Sequence, residues 1–300
     1  MSGQIEDHDR GLAHDLEVIG RRMIARRRML AWFATAGAGA LVSGCGGGSG
    51  SGTETASAAA TTTTAGTTTT TATTTTTSSS SACVVDPTET NGPYPADGTN
   101  TSSGSTSNVL TSSGVVRSDI RASFIGSTAA AVGVPLTLTL TLVNAGASCA
   151  PLAGYAIYIW CCDAAGKYSL YTVPAESYLR GVQVTDAAGQ VTFTLIYPGC
   201  YDGRWPHIHF EVYASQSMAT SGRAAKLISQ LAMPSDISGT VYSSASSFYP
   251  SSYANFARVT LSSDNVFGDN SWAQIQQQTP AMTGSVAAGY AATATIGISV

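Results

Sequence analysis

"YPGCYDGRWPHIHFEVY", residues 197–213, sets two histidines either side of one isoleucine, with a tyrosine six residues ahead of His207 and an arginine between. Successive side chains of a β-strand point to opposite faces, so Ile208, Phe210 and Val212 share one face while His207, His209 and Glu211 share the other. One face reads as core and the other as free for chemistry. A pair of imidazoles can also simply decorate the solvated side of an edge strand. Composition argues against that here, because the chain has four histidines and the other two, His8 and His14, lie in an N-terminal region that reads as removed. The mature protein then keeps its only two histidines side by side.

The sequence around this stretch reads as one all-β domain over residues 83–300. "VPLTLTLTLV" alternates Leu with Thr from Leu136 to Leu142, the pattern of a half-buried strand. "YAIYIW" at 155–160 follows, then "VQVTDAAGQVTFTLI", where Asp186 to Gly189 supplies turn chemistry between two alternating runs and predicts a hairpin. "CDAAGKY" carries the same Asp-Ala-Ala-Gly turn earlier. After the histidine strand come an irregular Ser- and Tyr-rich stretch containing "SSFYPSSY", a short helix near "NSWAQIQQQ", and a last strand in "GYAATATIGISV". Many short strands with Gly, Pro and Ser turns point to a β-sandwich of mostly antiparallel strands.

The first 82 residues differ in kind. Residues 1–28 are polar and Arg-rich, "MLAWFATAGAGALV" is an apolar run too short to span a membrane comfortably, and "VSGC" closes it at Cys45, the order of a secretory signal. Arg26, Arg27 and Arg28 resemble a twin-arginine export signal. Val42 to Cys45 resembles a bacterial lipobox, which would leave Cys45 as the lipid-bearing first residue and tie the protein to the cell envelope. Residues 46–82 are Gly, Ser, Thr and Ala apart from Glu54, unable to bury a core. As a flexible coil they span about 35 Å, a tether between a membrane and a domain.

Charge excludes some partners. Of 14 Lys and Arg, six lie in residues 1–28, which leaves eight against 13 Asp and Glu and makes a nucleic-acid surface an unsuitable reading. Cys83, Cys149, Cys161, Cys162 and Cys200 suit an exported domain with disulfides. Five is odd, so at least one thiol stays unpaired or pairs between chains.

Two imidazoles alone make a weak metal site, since a stable mononuclear centre takes three or four protein ligands. Glu211 shares their face, yet ligands at i, i+2 and i+4 of one strand stand in a row and not on a triangular face. Tyrosine remains. A phenol, with a reference pKa of about 10, needs a hard and highly charged cation such as iron(III) to ionise it at neutral pH. Tyr201 and Tyr168 are at hand.

These residues match a known family. "TETNGPYP" at 88–95, "IWCCDAAGKYSLY" at 159–171, "YLRGVQVTDAAGQVTFTLIYPGCYDGRWPHIHFEVY" at 178–213 and "KLISQLAMP" at 226–234, in that order, resemble the intradiol ring-cleavage dioxygenases, relatives of the catechol and protocatechuate dioxygenases. The resemblance spans about residues 83–300 and is nearer to the small exported members. It implies a non-haem iron(III) held by Tyr168, Tyr201, His207 and His209. It also implies catalytic roles for Arg204, Gln230 and Tyr201, and a substrate-pocket place for Tyr94; Trp160 reads as core. Trp160-Cys161 departs from the Trp-His or Trp-Gln of many relatives. The implied activity is cleavage of a catechol-type ring by O2 between its two hydroxylated carbons, giving a muconate-type diacid. The alternative is a non-catalytic cell-surface β-sandwich binding module with an incidental metal site.

Overall fold

In the computed structural model, which describes residues 83–300, an antiparallel pair, β1 (Asp97–Ser102) and β2 (Ser105–Asn108), comes first and the Leu/Thr run becomes β3 (Pro135–Asn144). The export signal, the lipobox with Cys45 and the Thr-rich linker lie outside the described residues. Leu136, Leu138, Leu140 and Leu142 are buried, whereas the threonines between them face outward. One side of β3 pairs in parallel with β11 (Gly289–Ile298), from Leu136 opposite Tyr290 to Asn144 opposite Ile298. This ladder departs from the antiparallel pairing of its neighbours. An antiparallel edge strand, β10 (Ala281–Ser285), lies beyond β11. On its other side β3 pairs antiparallel with β7 (Gln190–Ile196) and with the short β4 (Ala150–Pro151).

A second, antiparallel sheet takes the order β6 (Arg180–Val184), β5 (Ala156–Trp160), β8 (His207–Tyr213), β9 (Leu227–Ala232). The core between the layers joins the β3 leucines and Phe193 to Ile157, Ile159, Ile208, Phe210 and Val212. A second cluster, with Tyr158, Trp160, Tyr168 and Tyr213, covers the far face of the second sheet. Both faces of β8 are therefore buried, so its histidine face is roofed by loops and is not open to solvent.

The expected hairpin at Asp186 does not form. The turn itself does: Asp186 N–H donates to Gln190 O at 3.0 Å, and Asp186 Oδ1 accepts the N–H groups of Ala188 and Gln190 at 2.9 and 2.8 Å. However, β6 pairs with β5 in one sheet and β7 with β3 in the other. Gly189 makes that crossing sterically feasible, since it sits at φ 73° and a Cβ there would lie 2.5 Å from Leu142 O. A turn signal reports a reversal of the chain and not the partner that each strand then takes. The turn at Asp163 repeats the same bonds, with Asp163 Oδ1 accepting from Ala165 and Lys167 at 2.9 Å each.

The stretch read as irregular contains helices α1 (Ser235–Ser244) and α2 (Ser252–Phe256). Their formation rests on packing more than on propensity. Tyr242 and Tyr249 are buried and donate to Pro198 O and Tyr197 O at 2.8 and 2.9 Å. Ser252 and Asn255 bond the backbone N–H and carbonyl of Cys200 at 2.9 and 2.8 Å, so this helical unit fixes the chain just ahead of Tyr201. The expected helix near "NSWAQIQQQ" is α3 (Trp272–Gln278), started by a capping box between Ser271 and Gln274. Cys83 and Cys149 form a disulfide; Cys161, Cys162 and Cys200 are free and buried. Among the described residues no helix is long and apolar enough to cross a membrane.

Candidate metal centre

His207 opens β8, and its Nδ1 bonds the Trp205 carbonyl. That bond places the proton on Nδ1 and leaves Nε2 as a lone-pair donor. Three further heteroatoms surround this nitrogen: His209 Nε2 at 3.0 Å, Tyr168 Oη at 3.3 Å and Tyr201 Oη at 3.3 Å. The side chains come from β8, from the loop after the Asp163 turn, and from the loop before β8. The structure thus brings together all four residues singled out as ligands in the sequence.

One lone pair on Nε2 can satisfy one donor, so three polar neighbours at hydrogen-bond distance make poor sense as a hydrogen-bond network. They suit a cation well. Ligands about 2.0–2.2 Å from one ion, at angles between right and tetrahedral, stand about 2.9–3.5 Å apart. Burial, with Arg204 nearby, pulls His207 down to about 3 and His209 well below its ordinary range, so both imidazoles are neutral, the form that coordinates. Burial raises both phenols, Tyr168 well above 10 and Tyr201 to about 12. Only a strong Lewis acid would ionise them here, and two neutral imidazoles with two oxygen donors fit a hard, high-valent iron. Among the described residues no cluster of three or more His, Cys, Asp and Glu side chains is arranged to hold a metal; the donors here are half tyrosine.

Glu211 stands apart from this cluster. It faces Tyr158 and Ile228 in the ladder, accepts from Tyr213 Oη, and burial beside Asp97 pushes its carboxyl well up. Trp160, expected in the core, is fully buried and also stacks on the His209 ring, with centroids 4.7 Å apart and planes 7° apart. On the other flank Gly92 approaches so closely that a Cβ would lie 3.2 Å from His209 Cε1.

Arg204 and Gln230 are adjacent. Gln230, opposite His209 on β9, accepts from Arg204 Nη2 at 2.7 Å through Oε1 and donates from Nε2 to Thr90 O at 2.8 Å. Arg204 Nε bonds Asp264 Oδ2 at 2.9 Å. Burial works against the Arg204 charge, and Tyr201 and Asp264 more than offset it, so the guanidinium stays cationic. Tyr94 packs on Tyr168 with ring centroids 4.9 Å apart. Tyr94 and Tyr201 are only partly buried, whereas Tyr168, His207 and His209 are buried.

Asp264 and Arg180 were not singled out in the sequence. Asp264 sits in the polar run "SSDN", where nothing separates it from a solvated turn acid. Arg180 left a faint signal, a lone charge between Leu179 and Gly181 at the head of a strand.

No family model and no curated protein sequence matches this chain. Solved structures do. An intradiol ring-cleavage dioxygenase from Tetranychus urticae matches at 24% identity over 72% of this chain and 95% of its own, with a TM-score of 0.54. A second dioxygenase crystal structure matches at 24% identity over the same shares, with a TM-score of 0.55. At that identity the likeness is one of fold. Residues 83–300 thus have the strand-rich fold of solved intradiol ring-cleavage dioxygenases, with two tyrosines and two histidines gathered at one point within it.

Proposed function

We propose that this protein is a non-haem iron(III) dioxygenase that cleaves a catechol-type ring between its two hydroxylated carbons with O2, giving a muconate-type diacid. The observation that carries this reading is the convergence of Tyr168 Oη, Tyr201 Oη and His209 Nε2 on His207 Nε2. Those four residues would hold the iron. Iron(III) bound there supplies the Lewis acidity that favours phenolate and catecholate oxygens over their protonated forms.

The protein groups then divide the work. Tyr201, partly exposed, is the oxygen donor that a substrate reaches, and its oxygen takes up a proton as a catechol hydroxyl gives one away. Tyr168, fully buried behind it, keeps its place. Arg204 holds a positive charge next to Tyr201 and favours negative charge developing on the ring. Gln230 has an oxygen on Arg204 and a nitrogen on Thr90, so it acts through the guanidinium it orients. Tyr94 borders the side from which a flat aromatic substrate enters.

The rest of the chain completes the reading. Residues 1–45 serve as an export signal ending in a lipobox, with a lipid on Cys45 and 46–82 as the tether. Cys45→Ser should move the protein from the membrane to the soluble fraction. The chemistry is tested with catechol and isotopically labelled O2: each carboxylate of the product should carry one label. A semialdehyde product, or activity that needs added iron(II) and reductant, would overturn the proposal.

A further inference from the structure

Arg180, at the start of β6, is a buried cation that the chemistry above does not use; it is 1% exposed. Its hydrogen bonds go to neutral oxygens, with no carboxylate among the partners. Nε donates to Ser169 Oγ at 3.0 Å. Nη1 donates to Pro95 O at 3.0 Å and Tyr158 Oη at 3.1 Å, and Nη2 to Tyr94 O and Ser169 O at 2.9 Å each. Such a group is costly to bury, and the fork of a guanidinium fits these acceptors where an ammonium does not.

Apart from Tyr158 on β5, the acceptors lie on two separate segments. Ser169 follows the candidate ligand Tyr168, and Tyr94–Pro95 carry the ring that packs on Tyr168. One nitrogen, Nη2, bridges the two. Leu170, immediately after Ser169, is held at φ 66°, a left-handed conformation that a leucine adopts only when its surroundings impose it. Tyr171, next along, donates to Asn100 Oδ1 at 2.6 Å and accepts from Ala96 N–H at 2.8 Å, tying the same two segments on the far side.

We propose that Arg180 is a positioning residue: by bridging the Tyr94 carbonyl and Ser169, it sets the Tyr94 ring against the Tyr168 phenol and so fixes both the orientation of that phenol at the metal and the pocket edge that receives the catechol. This rests on the iron(III) reading above. Arg180 has no hydrogen bond to the side chains of Tyr168, Tyr201, His207 or His209, so its loss acts on Tyr168 and Tyr94 through the Ser169 and Tyr94 backbone it holds.

The test compares wild type with Arg180→Lys, Arg180→Met and Ser169→Ala after iron loading. Iron content, the visible tyrosinate band, anaerobic catechol affinity and the thermal midpoint are measured on each. Iron content should stay near that of wild type. The band should shift, and catechol binding should weaken by about 10-fold to 100-fold in both Arg180 variants, with a smaller change for Ser169→Ala. A lowered midpoint with an unmoved band and unchanged catechol affinity in Arg180→Lys would make the role purely structural and overturn the proposal. Should neither Arg180 variant fold, Ser169→Ala decides: an unmoved band and affinity there also overturn it. A wild-type protein that takes up iron without a tyrosinate band sinks the dioxygenase reading itself, and this inference with it.

Discussion

Asp264 Oδ2 accepts the Nε–H of Arg204 at 2.9 Å and, on the same oxygen, the backbone N–H of Trp205 at 2.6 Å. Its other oxygen accepts from Val266 and Phe267 at 2.8 and 3.0 Å, so the carboxylate is saturated and its position fixed. Two consecutive residues of the loop before β8 are therefore set by one acid. The carbonyl of Trp205 in turn holds His207. Burial would raise the Asp264 carboxyl, but the charge of Arg204 and the bonds it receives keep it below the ordinary carboxylate range.

Removing that acid strands a buried guanidinium. Asp264→Ala should destabilise the fold by about 3–5 kcal/mol, the usual consequence of deleting one partner of a buried ion pair. Asp264→Asn keeps the shape and loses the charge; it should cut kcat/KM by about 10-fold to 100-fold while iron content stays near that of wild type. Steady-state kinetics beside elemental analysis reads this directly. Equal losses of iron and activity would mean that Asp264 serves the metal site as a whole and not Arg204.

The histidines should behave differently. His207→Ala and His209→Ala each remove one of two neutral imidazoles, and the described residues hold no third histidine to replace it. Iron measured by elemental analysis should fall close to zero in both. Full occupancy in both variants would remove the ligand assignment.

The two tyrosines should separate by exposure. Tyr201→Phe should keep much of the iron and lose most turnover, because the proposal assigns uptake of the substrate proton to Tyr201, the less buried of the two tyrosines. Tyr168→Phe should change the colour of the substrate complex more than Tyr201→Phe does. Visible spectra of the anaerobic catechol complexes check this, and a wild-type complex that keeps both tyrosinate bands would contradict the role of Tyr201.

Alternation made the histidine strand legible in the sequence, and the Leu/Thr run of β3 was equally plain, since both depend only on which face a side chain takes. The four candidate ligands could be named because the motifs around Tyr168, Tyr201, His207 and His209 resemble those of the intradiol dioxygenases; with thirteen tyrosines in the chain, spacing alone does not single out Tyr168 and Tyr201. Pairing was not legible. The turn at Asp186 has the same local bonds whether the next strand folds back on β6 or crosses to β3, and the choice lies in the ladder between β7 and β3. Helices α1 and α2 were missed because their Ser-rich segments carry weak propensity and gain order from Tyr242 and Tyr249 packing on residues far along the chain. Asp264 and Arg180 act through partners 60 and 85 positions away, a distance at which local pattern carries no information.

Asp86 gives the fold a pH dependence of its own. Its backbone N–H donates to Gly297 O at 2.8 Å, and its Oδ2 accepts from Gly297 N–H at 2.6 Å and Gln277 Nε2 at 3.2 Å, tying the start of the domain to β11 and α3. Its Oδ1 is buried without a partner. Burial pushes this carboxyl up to about 7, against the bonds from Gly297 and Gln277. The folded protein thus holds the proton more tightly than the unfolded chain, whose carboxyl titrates near about 3.9. Stability from this group is fully present below about pH 4 and is lost as pH rises towards about 7; above that both states are ionised and the penalty is constant. The difference is on the order of 4 kcal/mol. Asp86→Asn removes the titration, so its thermal midpoint relative to wild type should climb between pH 4 and pH 8 and level off beyond. Midpoints taken across that range on both proteins decide it: a constant offset would mean that Asp86 is ionised in the folded state throughout, with its charge met by the two N–H groups it accepts.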